Sequence, residues 1–213
     1  IRLSLVGSEM CIRDSYTQAM TGFLQFNPAP LHILIIGLGG GSLVKYCYKH
    51  LPVTRITVLE SNADVIALRD QFMIPADDVR LQVLHQDAAL YLAEMTAESV
   101  DVILLDGFDA NGASVELCSF SFFQDCQRIL HNQGVLVMNM ADDGETITAM
   151  LTQGQIIFGG RHVWWLKTRE ANSHIAMAIK TDGRASDDAA LREKALSICT
   201  QFSLDLVYPK SIA

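Results

Sequence analysis

The chain has 213 residues, half of them hydrophobic and 19% charged, a composition that builds a packed core rather than a disordered tail. Its formal net charge of -8 at pH 7 repels phosphate backbones and anionic lipid, which argues against nucleic acid or a membrane surface as partner. No apolar run approaches the roughly 18 residues of a bilayer span, no basic-then-apolar leader is seen, and neither the five cysteines nor the six histidines show zinc spacing. A cytoplasmic protein with no metal site is expected.

The first 15 residues do not continue into the pattern that follows. Their stretch SLVGSEMCIRDS resembles translated sequencing-adapter read-through at a broken reading-frame end, so the protein's own sequence is expected to resume at Tyr16 and to form one domain over residues 16–213. From Leu31 onward, apolar runs alternate with helix-like stretches. LHILIIG reads as a strand and SLVKYCYKHL as its helix; RITVLE and ADVIALRDQF repeat the pair, as do VRLQVLHQD and AALYLAEM. VDVILLD is a fourth strand, followed after the GFDANGAS loop by the helix SFSFFQDCQRIL. QGVLVMNM is a fifth, with a helix near GETITAMLTQGQII. Short, almost wholly apolar strands alternating with helices predict a doubly wound α/β domain with a parallel sheet covered on both faces.

The tail changes rhythm. RHVWWLK and SHIAMAIK are separated only by TREAN, too few residues for a helical crossover, which predicts an antiparallel hairpin. SDDAALREKALSICTQFSL reads as a capped closing helix. Five parallel strands plus a terminal hairpin match the seven-stranded, mostly parallel sheet of class I S-adenosylmethionine-dependent transferases. Trp164 and Trp165, being neighbours on a strand, must face opposite sides, so they read as packing residues rather than a cation cage.

The first strand runs into a loop in which four of residues 37–41 are glycine, with Gly37, Gly39 and Gly41 in GxGxG spacing. Glycines permit positive φ and close approach of backbone amides to a ligand at a helix N-terminus. The loop lacks the lysine of a P-loop and does not by itself separate dinucleotide from S-adenosyl ligands. Glu60 ends the second strand, 23 residues after Gly37, where a carboxylate can accept both hydroxyls of a ribose. Asp87, followed by the small Ala88, ends the third; it can accept from an adenine amine or cap the next helix, and both roles can coexist. Asp106 ends the fourth, with Asp109 three residues on, placed to take a proton from an attacking amine, to hold an ammonium group, or simply to build a solvated turn.

Taken together, LHILIIGLGGGSL, ITVLESNADVIAL, VLHQDAALYL, VILLDGFDANG and GVLVMNM resemble the polyamine aminopropyltransferases, the spermidine and spermine synthase family. YTQAMTGFLQFNPAP resembles that family's lead-in, and Ile35 stands where an ordinary methyltransferase usually has an acid. The resemblance implies that Glu60 binds the ribose, Asp87 and Ala88 the adenine, and the glycine loop the thioether end of decarboxylated S-adenosylmethionine. It implies Asp106 as the base, and Asp109, Tyr16 and Gln18 at a small-molecule amine acceptor, in a homodimer. Where the family has an aspartate facing the donor's ammonium, this chain has Gly40, and the family's small N-terminal β-domain is expected to be missing, either truncated or never present. A methyltransferase using intact S-adenosylmethionine and a non-catalytic nucleoside-binding domain stay open as alternatives.

Overall fold

A computed structural model describes residues 15–109, 112–113, 116–140, 144–167, 174–182, 188–202 and 204–207. The adapter-like segment up to Asp14, the TREAN connection and the expected cap at Ser186 lie outside the described residues. Helix α1 (Ser15–Met20) runs into a 3-10 turn (Thr21–Gln25) that leads to strand β1 (His32–Ile36). The core α/β units follow in the expected order: α2 (Ser42–His50), β2 (Arg55–Glu60), α3 (Ala63–Ala67), β3 (Leu81–His85), α4 (Ala88–Glu94) and β4 (Val100–Leu105).

After β4 a small ribbon forms from β5 (Phe108–Asp109) and β6 (Gly112–Ala113), and α5 (Phe120–Ile129) returns the chain to β7 (Leu130–Met140). Then come α6 (Gly144–Phe158), β8 (Val163–Lys167), β9 (His174–Ile179), α7 (Asp188–Phe202) and β10 (Asp205–Val207). Among the described residues one sheet holds eight strands in the order β10-β8-β9-β7-β4-β1-β2-β3. Strands β1, β2, β3, β4 and β7 are parallel, while β9 lies antiparallel between β7 and β8. This is the expected seven-stranded arrangement, extended by the short β10 on β8.

The strands are apolar on both sides because both faces are covered. Ile33 and Ile35 of β1 enter a core under α1, α2 and α7, with Met20, Val44, Cys47 and Ile198. Leu34 and Ile36 enter a second core under α4, α5 and α6, with Leu92, Phe123, Cys126 and Met150. Arg128 joins two helices of that second layer. Its guanidinium binds the Met95 and Leu92 carbonyls at the end of α4, and also Asp125 on its own helix, satisfying acceptors that a helix end otherwise leaves open.

Two elements depart from expectation. The helix expected across ADVIALRDQF stops at Ala67, although Asn62 caps its start by accepting from the Asp64 amide at 2.9 Å. Beyond it the Arg69 guanidinium binds the Pro75 carbonyl and, at 2.8 Å, Asp77. The chain thereby folds back to place Ile74 beneath the glycine loop, and a proline at 75 disfavours helix at the residue before it. Strand β10 was not anticipated. Its register puts Leu206 opposite Leu166, and three residues with an aspartate among them carry no readable strand pattern.

The tryptophans divide as expected. Trp164 is buried and stacks on Phe26, with ring centroids 5.7 Å apart, whereas Trp165 packs in the other core beside His174. Of the four cysteines that are described, Cys47 and Cys126 are buried, and burial pushes the Cys47 thiol up to about 12.

Candidate functional site

The carboxyl ends of β1, β2 and β4 meet at one edge of the sheet, where the strand order reverses and open α/β sheets present their crevice. The glycine loop sits there because nothing larger fits at its first position. Gly37 has φ +95°, and a Cβ on it would lie 2.4 Å from the Asp106 carbonyl oxygen. The crossing is fixed by the Gly37 amide donating to Leu59 O and the Asp106 amide donating to Ile36 O, each at 2.8 Å. Gly41, at φ +70°, opens α2; a Cβ there would strike Ile74 at 2.4 Å. Gly39 and Gly40 instead face open space, with only Phe72 Cδ1 at 4.0 Å from a Cβ built on Gly40.

Glu60 reaches this loop directly. Its Oε2 accepts from the Leu38 amide at 2.8 Å and its Oε1 from the Asn62 amide at 2.9 Å. The carboxylate thus bridges the glycine loop and the start of α3, at the place where the 23-residue spacing put it. Asp87 is exposed, and its Oδ1 accepts from the Leu90 amide at 2.9 Å, so the capping role is observed. Ala88, the first residue of α4, is buried.

Asp106 follows β4 beside Gly37. Asn139 donates from Nδ2 to its Oδ1 at 2.8 Å, a contact set by the register that pairs Leu105 with Met138. Burial pushes the Asp106 carboxyl up to about 6, while the hydrogen bond from Asn139 pulls the other way. Asn139 is a residue that sequence reasoning missed. A single amide between two methionines at the end of an apolar strand was its signal. Asn139 is buried, and its own Oδ1 has no hydrogen-bond partner among the described residues.

The remaining candidates lie on neighbouring elements. Asp109 is on β5, whose pairing with Gly112 closes the GFDANGAS loop on itself; its side chain, like that of Tyr16, lies outside the described residues. Gln18 lines a cleft of about 360 Å³ between α1, α2 and α7, together with Thr17, Gln25, Tyr46, Gln201 and Phe202. The structure therefore brings the glycine loop, Glu60 and Asp106 together. It places Asp87 on the adjacent strand end and Gln18 on a cleft wall under α1. Among the described residues no group of three or more His, Cys, Asp or Glu could hold a metal ion, and no helix is long and apolar enough to cross a membrane.

The arrangement has known counterparts. A polyamine aminopropyltransferase of Neisseria meningitidis serogroup A is 32% identical over 193 residues, covering 90% of this chain and 73% of that protein. A probable spermidine synthase from Corynebacterium glutamicum superposes with a TM-score of 0.71 at 19% identity, over 93% of this chain and 81% of the other. Human methyltransferase-like protein 13, solved in complex with SAH, superposes with a TM-score of 0.72 at 20% identity, over 94% and 97%. The spermine/spermidine synthase domain model matches residues 13–182. The chain belongs to the spermine/spermidine synthase family.

Proposed function

We propose that this chain transfers an aminopropyl group from decarboxylated S-adenosylmethionine to a polyamine acceptor. The observation that carries the reading is the Asp106 carboxyl, half-sunk beside the glycine loop and pushed up to about 6, in a member of this family. A base with that affinity is ionised at neutral pH yet still takes up a proton readily.

In this reading Glu60 accepts the ribose hydroxyls, using the lone pairs that Leu38 and Asn62 leave open. Asp87 and Ala88 meet the adenine, and Gly37, Gly39 and Gly41 allow the thioether end to approach the backbone. Tyr16, Gln18 and Asp109 surround the acceptor amine. The amine nitrogen attacks the aminopropyl carbon bonded to the sulfonium. The C–N bond forms as the C–S bond breaks, its electron pair returns to sulfur to give methylthioadenosine, and the proton lost by nitrogen passes to Asp106. Because the sulfonium is already a good leaving group, positioning and proton removal are the work left to the protein. We place the enzyme in the cytoplasm, acting on a small-molecule amine as a homodimer.

Gly40 favours a second reading, methyl transfer from intact S-adenosylmethionine, since no carboxylate stands there for a donor ammonium. Calorimetry with methylthioadenosine and S-adenosylhomocysteine distinguishes the two. Tighter binding of methylthioadenosine is expected. Preference for the homocysteine compound would favour methyl transfer, and binding of neither would favour a non-catalytic domain.

A further inference from the structure

Asn139 is the last residue but one of β7, on the face that packs against α1 and α7, opposite Ile175 of β9, and is 7% exposed. The register of β4 and β7 sets its amide against Asp106, so the contact is held by the sheet rather than by a mobile loop. Among the described residues Asp106 makes no other side-chain hydrogen bond, which leaves Oδ2 as the oxygen open to a proton. From this geometry we infer that Asn139 is a positioning residue: its amide fixes the Asp106 carboxyl and sets how tightly that carboxyl holds the proton it takes from the attacking amine. The inference rests on the transfer reading above.

Two opposed influences act on Asp106, burial raising its proton affinity and the Asn139 hydrogen bond lowering it. Among the described residues the other titratable groups on the edge are directed elsewhere. Glu60 is held by the Leu38 and Asn62 amides, and Asp87 by the Leu90 amide. His174 opens β9 on this same edge, opposite Met140 and paired with Lys167 of β8, but its ring lies on the other face of the sheet, where it packs on Trp165. The side chains of Tyr16, Asp109, Asp142, Asp143 and Glu145 lie outside the described residues. Removing the amide leaves burial unopposed, so Asp106 should bind its proton roughly tenfold more tightly or beyond, the scale of a hydrogen bond to a charged group.

The test reads the Asp106 carboxyl directly, by carbon-13 NMR of aspartate-labelled protein, with Asp106→Asn assigning the resonance. In Asn139→Ala the midpoint should move to higher pH by about the tenfold in proton concentration expected above. The isosteric Asn139→Asp, which keeps the shape of the site should the alanine variant fail to fold, should raise it further, because two adjacent carboxyls share a proton. Turnover in Asn139→Ala should fall at neutral pH and recover on the alkaline side. A midpoint unmoved in the folded variants would overturn the inference, as would a loss of turnover equal at every pH, which a purely structural role produces. Absence of aminopropyl transfer by the wild-type protein would refute the functional reading alone, since the carboxyl titration does not depend on it.

Discussion

Replacing Asp106 with asparagine should remove turnover and at the same time make the protein more stable, with the gain confined to a defined pH range. The Asp106 carboxyl moves from 3.8 in a free side chain to about 6 in the fold, so the folded protein holds that proton more tightly than the unfolded chain. Protonation therefore favours the folded state. The stability it contributes is complete below about pH 4 and is lost as pH rises through about 6. At 1.36 kcal/mol for each tenfold change in proton affinity, holding the ionised group in place costs about 3 kcal/mol at pH 7.5. Asparagine keeps an oxygen for the Asn139 amide and carries no charge to desolvate. Urea denaturation of wild-type and Asp106→Asn protein from pH 3.5 to 8 should show the variant ahead by about 1–3 kcal/mol at pH 7.5, with the difference closing toward pH 4. Methylthioadenosine affinity should be retained. A variant less stable at pH 7.5, or a difference that does not change with pH, would refute the reasoning, and undiminished product formation would remove Asp106 from the mechanism.

Gly37→Ala forces a Cβ to within 2.4 Å of the Asp106 carbonyl at φ +95°, and should cost about 3 kcal/mol or more in chemical denaturation. Gly39→Ala, at φ +47° in open space, should cost about 1–2 kcal/mol, so a reversal of that order would discredit the packing described here. Gly40→Asp has room for its side chain and should fold normally. Competition binding should show its preference shifting several-fold toward decarboxylated S-adenosylmethionine over the intact donor, and no shift would mean that this position does not face the aminopropyl end. Arg128→Ala strips the carbonyls at the end of α4 of their donors and should lower the urea midpoint by the equivalent of about 2 kcal/mol.

The sheet was legible because its strands are covered on both faces, so β1, β2, β4 and β7 read as short, mostly apolar runs alternating with helical stretches. The α3 region misled because VIALRDQF has helical spacing, yet the need to bring Ile74 under Gly41 overrides local propensity, and that need is a contact between distant segments. Glu60 was legible for a different reason: strand length and the fixed spacing from Gly37 put its carboxylate at the loop whatever the side-chain details. Asp87 was readable only as two coexisting possibilities, and the bond to Leu90 shows one of them. Asn139 was out of reach. Its meaning comes from lying opposite Asp106 across two strands joined by α5, a register that no local pattern encodes. The direction of the Asp106 proton affinity was likewise hidden, because it depends on how deeply the fold buries one carboxyl.

Glu60 has a consequence for recognition that lies in entropy rather than in contact. A free glutamate side chain samples many rotamers, and fixing it costs about 1.5–2 kcal/mol. Here both carboxylate oxygens are tied to backbone amides of the chain itself, so that cost is met when the chain folds. If Glu60 receives the ribose as proposed, the diol finds an acceptor already aimed, and its binding energy need not be spent on ordering the group that receives it. On the proposed reading, the ordering cost of binding a nucleoside at Glu60 then falls on the ligand rather than on this side chain.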